Sequence, residues 1–140
     1  MTAKETPALS QEWNILQNNY EQYEKSALLI KLTGIVLCTL STVIAVHEIL
    51  ISTIILVLWM QEGIFRTYQS RLGERILCIE RLIKQNTSED GTAFQLHSTW
   101  LATRPGAVGL IAEYAKSAMR PTVAFPYVVL LLVNFALYTV

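Results

Sequence analysis

Three apolar runs divide the chain. The first, Ala27–Val46 (ALLIKLTGIVLCTLSTVIAV), holds twenty residues and a single charge. The last, Thr122–Val140 (TVAFPYVVLLLVNFALYTV), holds none. Twenty helical residues at 1.5 Å each reach ~30 Å, the thickness of a bilayer core. The middle run, ILISTIILVLWM from Ile49, is shorter. To cross, it must continue through Gln61–Phe65 or tilt the neighbouring lipid to suit. Only His47–Glu48 separates the first two runs. A single helix over 27–65 would be about 58 Å long, roughly twice what a bilayer needs. The pattern therefore predicts a tight hairpin with its turn near Val46–Ile49.

The polar segments have their own periodicity. Trp13, Leu16, Tyr20 and Tyr23 recur at spacings of three and four, one apolar stripe on a helix that Ser10 is placed to cap. That stripe reads as a packing face, with Tyr23 also placed to anchor at a membrane interface. Phe65, Tyr68, Leu72, Ile76, Ile79 and Ile83 continue the second run as one helix to about Gln85. Glu62–Arg66 and Glu80–Lys84 are i,i+4 pairs in the favourable order. Asn86–Gly91 (NTSEDG) is a loop. The return comprises Phe94–Ala102, a break at Arg104-Pro105-Gly106, and Ala107–Met119 with Leu110, Ile111, Tyr114 and Ala118 on one side. As helices, 61–86 and 93–119 reach ~39 and ~40 Å, two matched legs of a hairpin standing off the membrane. Pro121 opens the third span where proline is tolerated, and Pro126 is expected to kink it. The expected fold is an all-α integral membrane protein. Residues 1–26 form an amphipathic helix, 27–65 a transmembrane hairpin, 66–120 a second helical hairpin and 121–140 a C-terminal transmembrane helix.

Charge orients these pieces. Hydrophobic residues make up 52% of the chain and charged ones 16%, an excess of apolar character over a soluble domain. The imbalance points away from a disordered chain, a one-core soluble enzyme and a disulfide-stapled secreted domain. Of 11 basic residues, Lys4, Lys25 and Lys31 precede or enter the first run. The other eight lie between Arg66 and Arg120, and none in the hairpin turn or after Arg120. Basic loops stay in the cytoplasm, so the N-terminus and residues 61–120 are expected inside, the hairpin tip and C-terminus outside. The implied location is a bacterial inner membrane. Residues 1–26 are polar and carry four glutamates, unlike a secretory signal, so the spans are expected to be retained.

The zero net charge marks no nucleic-acid binder. It conceals a balance of −2 over 1–26 (two Lys, four Glu) and +2 over 61–120 (eight basic, six acidic), which favours docking of one on the other. Cys38 and Cys78 each read as a small buried residue.

A few residues stand out within the spans. Ala27, Lys31, Gly34, Cys38, Ser41 and Ala45 recur at alternating spacings of four and three, a small-residue stripe down the first span with one charge in it. Small residues let membrane helices approach closely. The stripe suits packing against another span of the same chain, a self-association face or a pore lining. Counted from the turn, Lys31 lies 16.5 residues back and Glu62 14.5 on, so their depths differ by only ~3 Å. Ionisable groups in membranes are costly and usually paired, which predicts a Lys31–Glu62 contact within or between subunits. The alternative is that Lys31 snorkels to the headgroups. Asn134 is placed to hydrogen-bond a neighbouring helix, with an ion or transport site as the lesser alternative. His47 and His97 fall on opposite sides of the membrane in this topology and cannot share a metal. No phosphate loop, nucleophile elbow or paired intramembrane carboxylates occur, so an enzyme is not expected and no cofactor or metal is implied.

The order of helix, tight two-span hairpin and long cytoplasmic helix is similar in outline to small bacterial two-span effector modules of the SLATT type. That likeness covers residues 10–86, rests on layout, and implies association in the membrane as a pore. The third span departs from the pattern. Two functions follow as expectations. One is a non-enzymatic accessory or scaffold subunit that holds a partner membrane protein through its cytoplasmic helices. The other is a homo-oligomeric channel or membrane-perturbing effector built on the small-residue face.

Overall fold

A computed structural model describes residues 7–44, 46–85 and 93–139. Among them are five helices and no strand: α1 Pro7–Ile44, α2 Glu48–Lys84, α3 Leu96–Thr103, α4 Ala107–Ala118 and α5 Pro121–Thr139. Ala45 and the Asn86–Gly91 segment lie outside the described residues.

α1 and α2 are the frame. With 38 and 37 residues they reach ~57 and ~55 Å, well beyond a bilayer core. Each runs unbroken across the change between polar and apolar sequence, because no proline interrupts its interior. Pro7 lies at the start of the described α1, where its missing N–H costs nothing. Ser10 therefore sits inside the helix rather than capping it, a correction to the sequence reading. The two helices meet in a short turn. Val46 N–H donates to the Ser41 carbonyl at 3.2 Å, and the His47 carbonyl accepts from Leu50 N–H at 3.0 Å.

Two apolar clusters hold the helices together, one towards each end. Leu9 and Leu16 of α1 pack against Leu72, Ile76 and Ile79 of α2, with Trp13, Tyr20 and Tyr23 around them. The aromatic stripe of α1 is thus a packing face. Near the turn, Cys38, Ile51, Ile55, Val123 and Tyr127 join α1, α2 and α5. Two helices are long and apolar enough to cross a membrane, or three if the bent pair α4–α5 counts as one span. The outward residues of the apolar segments are large and hydrophobic, among them Leu29, Val36, Leu40, Leu56 and Phe125. This supports an all-α membrane class.

The return leg is the expected pair of helical stretches broken at Arg104–Gly106, but it is not a leg matched to α2, because α4 meets α5 at 72°. Pro105 and Gly106 account for the first break. The second falls at Met119–Arg120, just before Pro121. The faces of α4 also differ. Leu110, Tyr114 and Ala118 are half-buried, but Ile111 is exposed. Cys38 is buried as expected, whereas Cys78 is exposed.

α4 crosses α2 at very close range. A Cβ at Gly63 would lie 2.8 Å from Ala118 Cβ and 3.2 Å from Ala118 backbone atoms. At Gly34 the nearest atoms, in Leu58, Leu130 and Tyr127, begin at 3.6 Å, an ordinary contact. Gly63→Ala is therefore expected to destabilise the protein by about 1–3 kcal/mol through overpacking. Gly34→Ala should leave stability unchanged or raise it slightly, since alanine is the better helix former. Thermal unfolding in detergent distinguishes them; equal Tm values for the two variants would refute the close α2–α4 crossing.

Candidate functional site

Glu62 is fully buried at the place where α1, α2, α4 and α5 converge. A carboxylate there is tolerated only if charges and donors of the protein replace water. Its Oε1 faces two cations: Lys31 Nζ of α1 at 3.0 Å and Arg66 Nε, one turn on along α2, at 3.6 Å. Its Oε2 accepts the Tyr127 hydroxyl of α5 at 2.8 Å. Neither Glu62 Oε1 nor Arg66 Nε makes an aligned hydrogen bond. The attraction on that side is therefore of charge for charge, and the directional bond is the one from Tyr127. Arg66 is held in place by Nη1, which donates to Gln69 Oε1 at 2.7 Å.

The same residues satisfy the broken backbone between α4 and α5. Pro126 has no N–H, so the Thr122 carbonyl four residues earlier lacks its usual helical donor. Lys31 Nζ donates to that carbonyl at 3.2 Å. At the end of α4, where the last carbonyls have no helical partner, Trp59 Nε1 donates to the Ala118 carbonyl at 2.9 Å. The Trp59 ring stacks on Tyr127 with centroids 6.2 Å apart and planes 10° from parallel. One lysine and one tryptophan thus link the elbow to the Glu62 cluster. α5 continues as a single helix through Pro126.

The structure brings Lys31 and Glu62 together, and within one chain. Lys31 is pulled in to the carboxylate and the Thr122 carbonyl, with 18% of its side chain exposed. Of the small-residue stripe, Ala27, Gly34, Cys38 and Ser41 are buried in the single chain. Gly34 faces Leu58, Leu130 and Tyr127 of α2 and α5, and the Ser41 hydroxyl donates to its own helix at the Cys38 carbonyl. Asn134 Nδ2 donates to Ser52 Oγ of α2 at 2.9 Å, so α2 and α5 are tied by a polar pair as well.

A second buried ion pair lies at the other end of α1. Arg75 donates from Nε and Nη2 to both oxygens of Glu12 at 2.9 and 3.1 Å, and Glu12 also accepts the Phe94 N–H at 2.6 Å. Phe94 has a positive φ of 58°, a conformation that side chains disfavour. The Glu12 carboxylate thus fixes the turn that leads into α3. Nearby, Arg71 reaches Glu113 of α4 at 2.8 Å and lies over the Tyr68 and Trp100 rings. Sequence reasoning anticipated the opposite charge balance of these segments but not the Glu12–Arg75 pair. It also missed Tyr127, Trp59 and Ser52. The one available signal was Pro126, which announces an undonated carbonyl at Thr122.

His47 precedes the start of α2, while His97 lines a cavity with Tyr23 and Tyr68 about 20 residues further along that helix, ~30 Å away. Among the described residues no group of three or more His, Cys, Asp or Glu is placed to hold a metal ion. With both Glu62 oxygens faced by cations or a donor, the cluster fits a lock that holds α1, α2 and α5 in one register, with α4 joined to it through Trp59 and Gly63. Compared with known proteins, the chain matches no protein-family model, no curated protein and no solved structure.

Glu62→Gln is expected to lower stability by about 2–3 kcal/mol, because it strands two cations, less than for a fully buried pair since Lys31 keeps some exposure. Lys31→Met in the same background should cost less than it does alone, a coupling of at least ~0.5 kcal/mol. Equilibrium unfolding in mixed micelles of the single and double variants measures it. Strict additivity would show that Lys31 does not depend on Glu62. Tyr127→Phe should cost about 1–3 kcal/mol by leaving Oε2 undonated.

Proposed function

We propose that this chain is a non-enzymatic integral membrane subunit that holds a partner membrane protein through its cytoplasmic helices. Three spans are assigned: the apolar parts of α1 and α2, and α5. The N-terminal half of α1, the far half of α2 and α3 lie in the cytoplasm, with the α1–α2 turn and the far end of α5 outside. The distribution of all 11 basic residues supports this orientation.

One observation carries the accessory reading over the channel reading. The small-residue face of α1, the surface on which a ring of copies would be built, is filled by α2 and α5 of the same chain. The polar groups within the spans are likewise committed internally: Glu62 to Lys31 and Tyr127, Asn134 to Ser52. A self-contained bundle of this kind supports a single copy that presents its cytoplasmic helices. α1 and α2 are tied by the buried Glu12–Arg75 pair, and α2 to α4 by Arg71–Glu113, an arrangement that suits a docking scaffold.

Native mass determination in mild detergent tests the proposal. The expected species is one copy of the chain, with no conductance when it is reconstituted in planar bilayers. A closed ring of several copies with measurable conductance would overturn the accessory reading in favour of a channel.

A further inference from the structure

α4 leaves an apolar strip uncovered. Val108, Ile111, Ala112, Ala115 and Met119 are all exposed, the large ones strongly: 83% for Val108, 67% for Ile111 and 69% for Met119. At 3.6 residues per turn, the five positions fall within an arc of about 100°. Glu113 and Ser117, on the opposite side, pack on α2, and Ala118, which flanks the strip beside Ile111, rests on Gly63 of α2. We propose that α4 is an in-plane membrane helix, and that this strip is seated in the headgroup–acyl boundary of the cytoplasmic leaflet. The inference rests on the membrane reading above.

The geometry supplies three independent supports. First, α4 is bent by 72° from α5. For a span tilted by up to about 20°, α4 then lies within roughly 40° of the membrane plane. Second, its depth is set by side chains at the cytoplasmic mouth of the spans. Trp59 holds the Ala118 carbonyl, Ala118 rests on Gly63, and Lys31 reaches Thr122 immediately beyond the elbow. Lys31 is five residues into the first apolar run, about 6 Å below its polar end, which places the elbow at the acyl boundary.

Third, the helix is turned the right way. Glu113, Lys116 and Arg120 line a cavity of about 290 Å³ together with Ser70 and Glu74, α2 residues further from the spans. Ala118 instead meets Trp59 and Gly63, nearer the spans. The polar edge of α4 thus points towards the cytoplasm, and the exposed apolar strip points down and outward into lipid. Lys116 borders the strip, and Arg120 follows at the elbow, where each can meet lipid phosphates. A twelve-residue helix with this pattern is short for independent membrane binding, but its anchorage to α2 and α5 removes the cost of bringing it to the surface.

Spin-label accessibility on the full chain in liposomes tests the inference. Labels are introduced one at a time by V108C, I111C, A115C and K116C, with Cys38→Ala and Cys78→Ser as background. V36C on the outer face of α1 serves as the lipid reference and Q11C as the water reference. Collision with oxygen over a water-soluble nickel chelate is expected to shift at 108, 111 and 115 towards the value at 36. Position 116 should shift towards the value at 11. If 36 reads lipid while 108, 111 and 115 read water, α4 stands clear of the bilayer and the inference is overturned with the membrane reading intact. If 36 itself reads water, the membrane reading fails and takes this inference with it.

Discussion

A carboxylate sealed from water must be satisfied by the protein around it, and Glu62 draws its partners from three helices. Lys31 comes from α1, Arg66 from α2 and Tyr127 from α5. Arg66 lies one turn along α2 itself, but the Lys31 and Tyr127 distances are available only when α1, α2 and α5 are already in register. The cost of leaving a buried charge uncompensated, several kcal/mol, therefore acts as a penalty on every other arrangement. Burial of leucine and isoleucine brings helices together without specifying how they slide or rotate. The Glu62 cluster supplies that specification where the outward faces are largely apolar.

The same cluster explains how the chain can turn sharply beside the spans. Lipid offers no donors for backbone carbonyls, so irregular backbone there must be satisfied by side chains. The α4–α5 elbow loses helical donors at its helix end and at Pro126. Trp59 and Lys31 take their place at Ala118 and Thr122. Lys31 thus neutralises Glu62 and caps a carbonyl at once, which fits a lysine that remains within an otherwise apolar run. Gly63 completes the site by letting α4 lie directly on α2.

At the far end of α1 and α2, Glu12 and Arg75 repeat the principle in a different setting. The two-pronged guanidinium matches the carboxylate, and the spare lone pair is taken by the Phe94 amide. Aromatic and aliphatic packing around Leu16, Leu72 and Ile76 shields the pair. The long α1–α2 hairpin is therefore held by a buried acid and an apolar cluster at its far end, and by the Glu62 cluster about 20 Å from the turn with the second apolar cluster beside it. Sliding of one helix along the other would have to break these charged contacts.

Much of this architecture is written in local sequence. The 3.6-residue period gave α1 and α2 their lengths, because a helical face is a property of neighbours in the chain. The hairpin count placed Lys31 beside Glu62, since antiparallel helices joined by a tight turn leave only one free variable, depth. The remaining features depend on residues far apart in sequence. Nothing local distinguishes Tyr127 from other aromatics of α5 or marks Ser52 as the partner of Asn134. Ser10 looked like a cap because the signal for a helix start is short, and the helix simply began earlier. Ile111 was grouped with Leu110 because periodicity identifies a face without saying what covers it. Tertiary structure alone decided that the small face of α1 is filled from within the chain, that α4 turns by 72°, and which side of α4 is left bare. The physical reason is the same in each case: a sequence encodes which groups need a partner, and only the packed helices determine which partner is within reach.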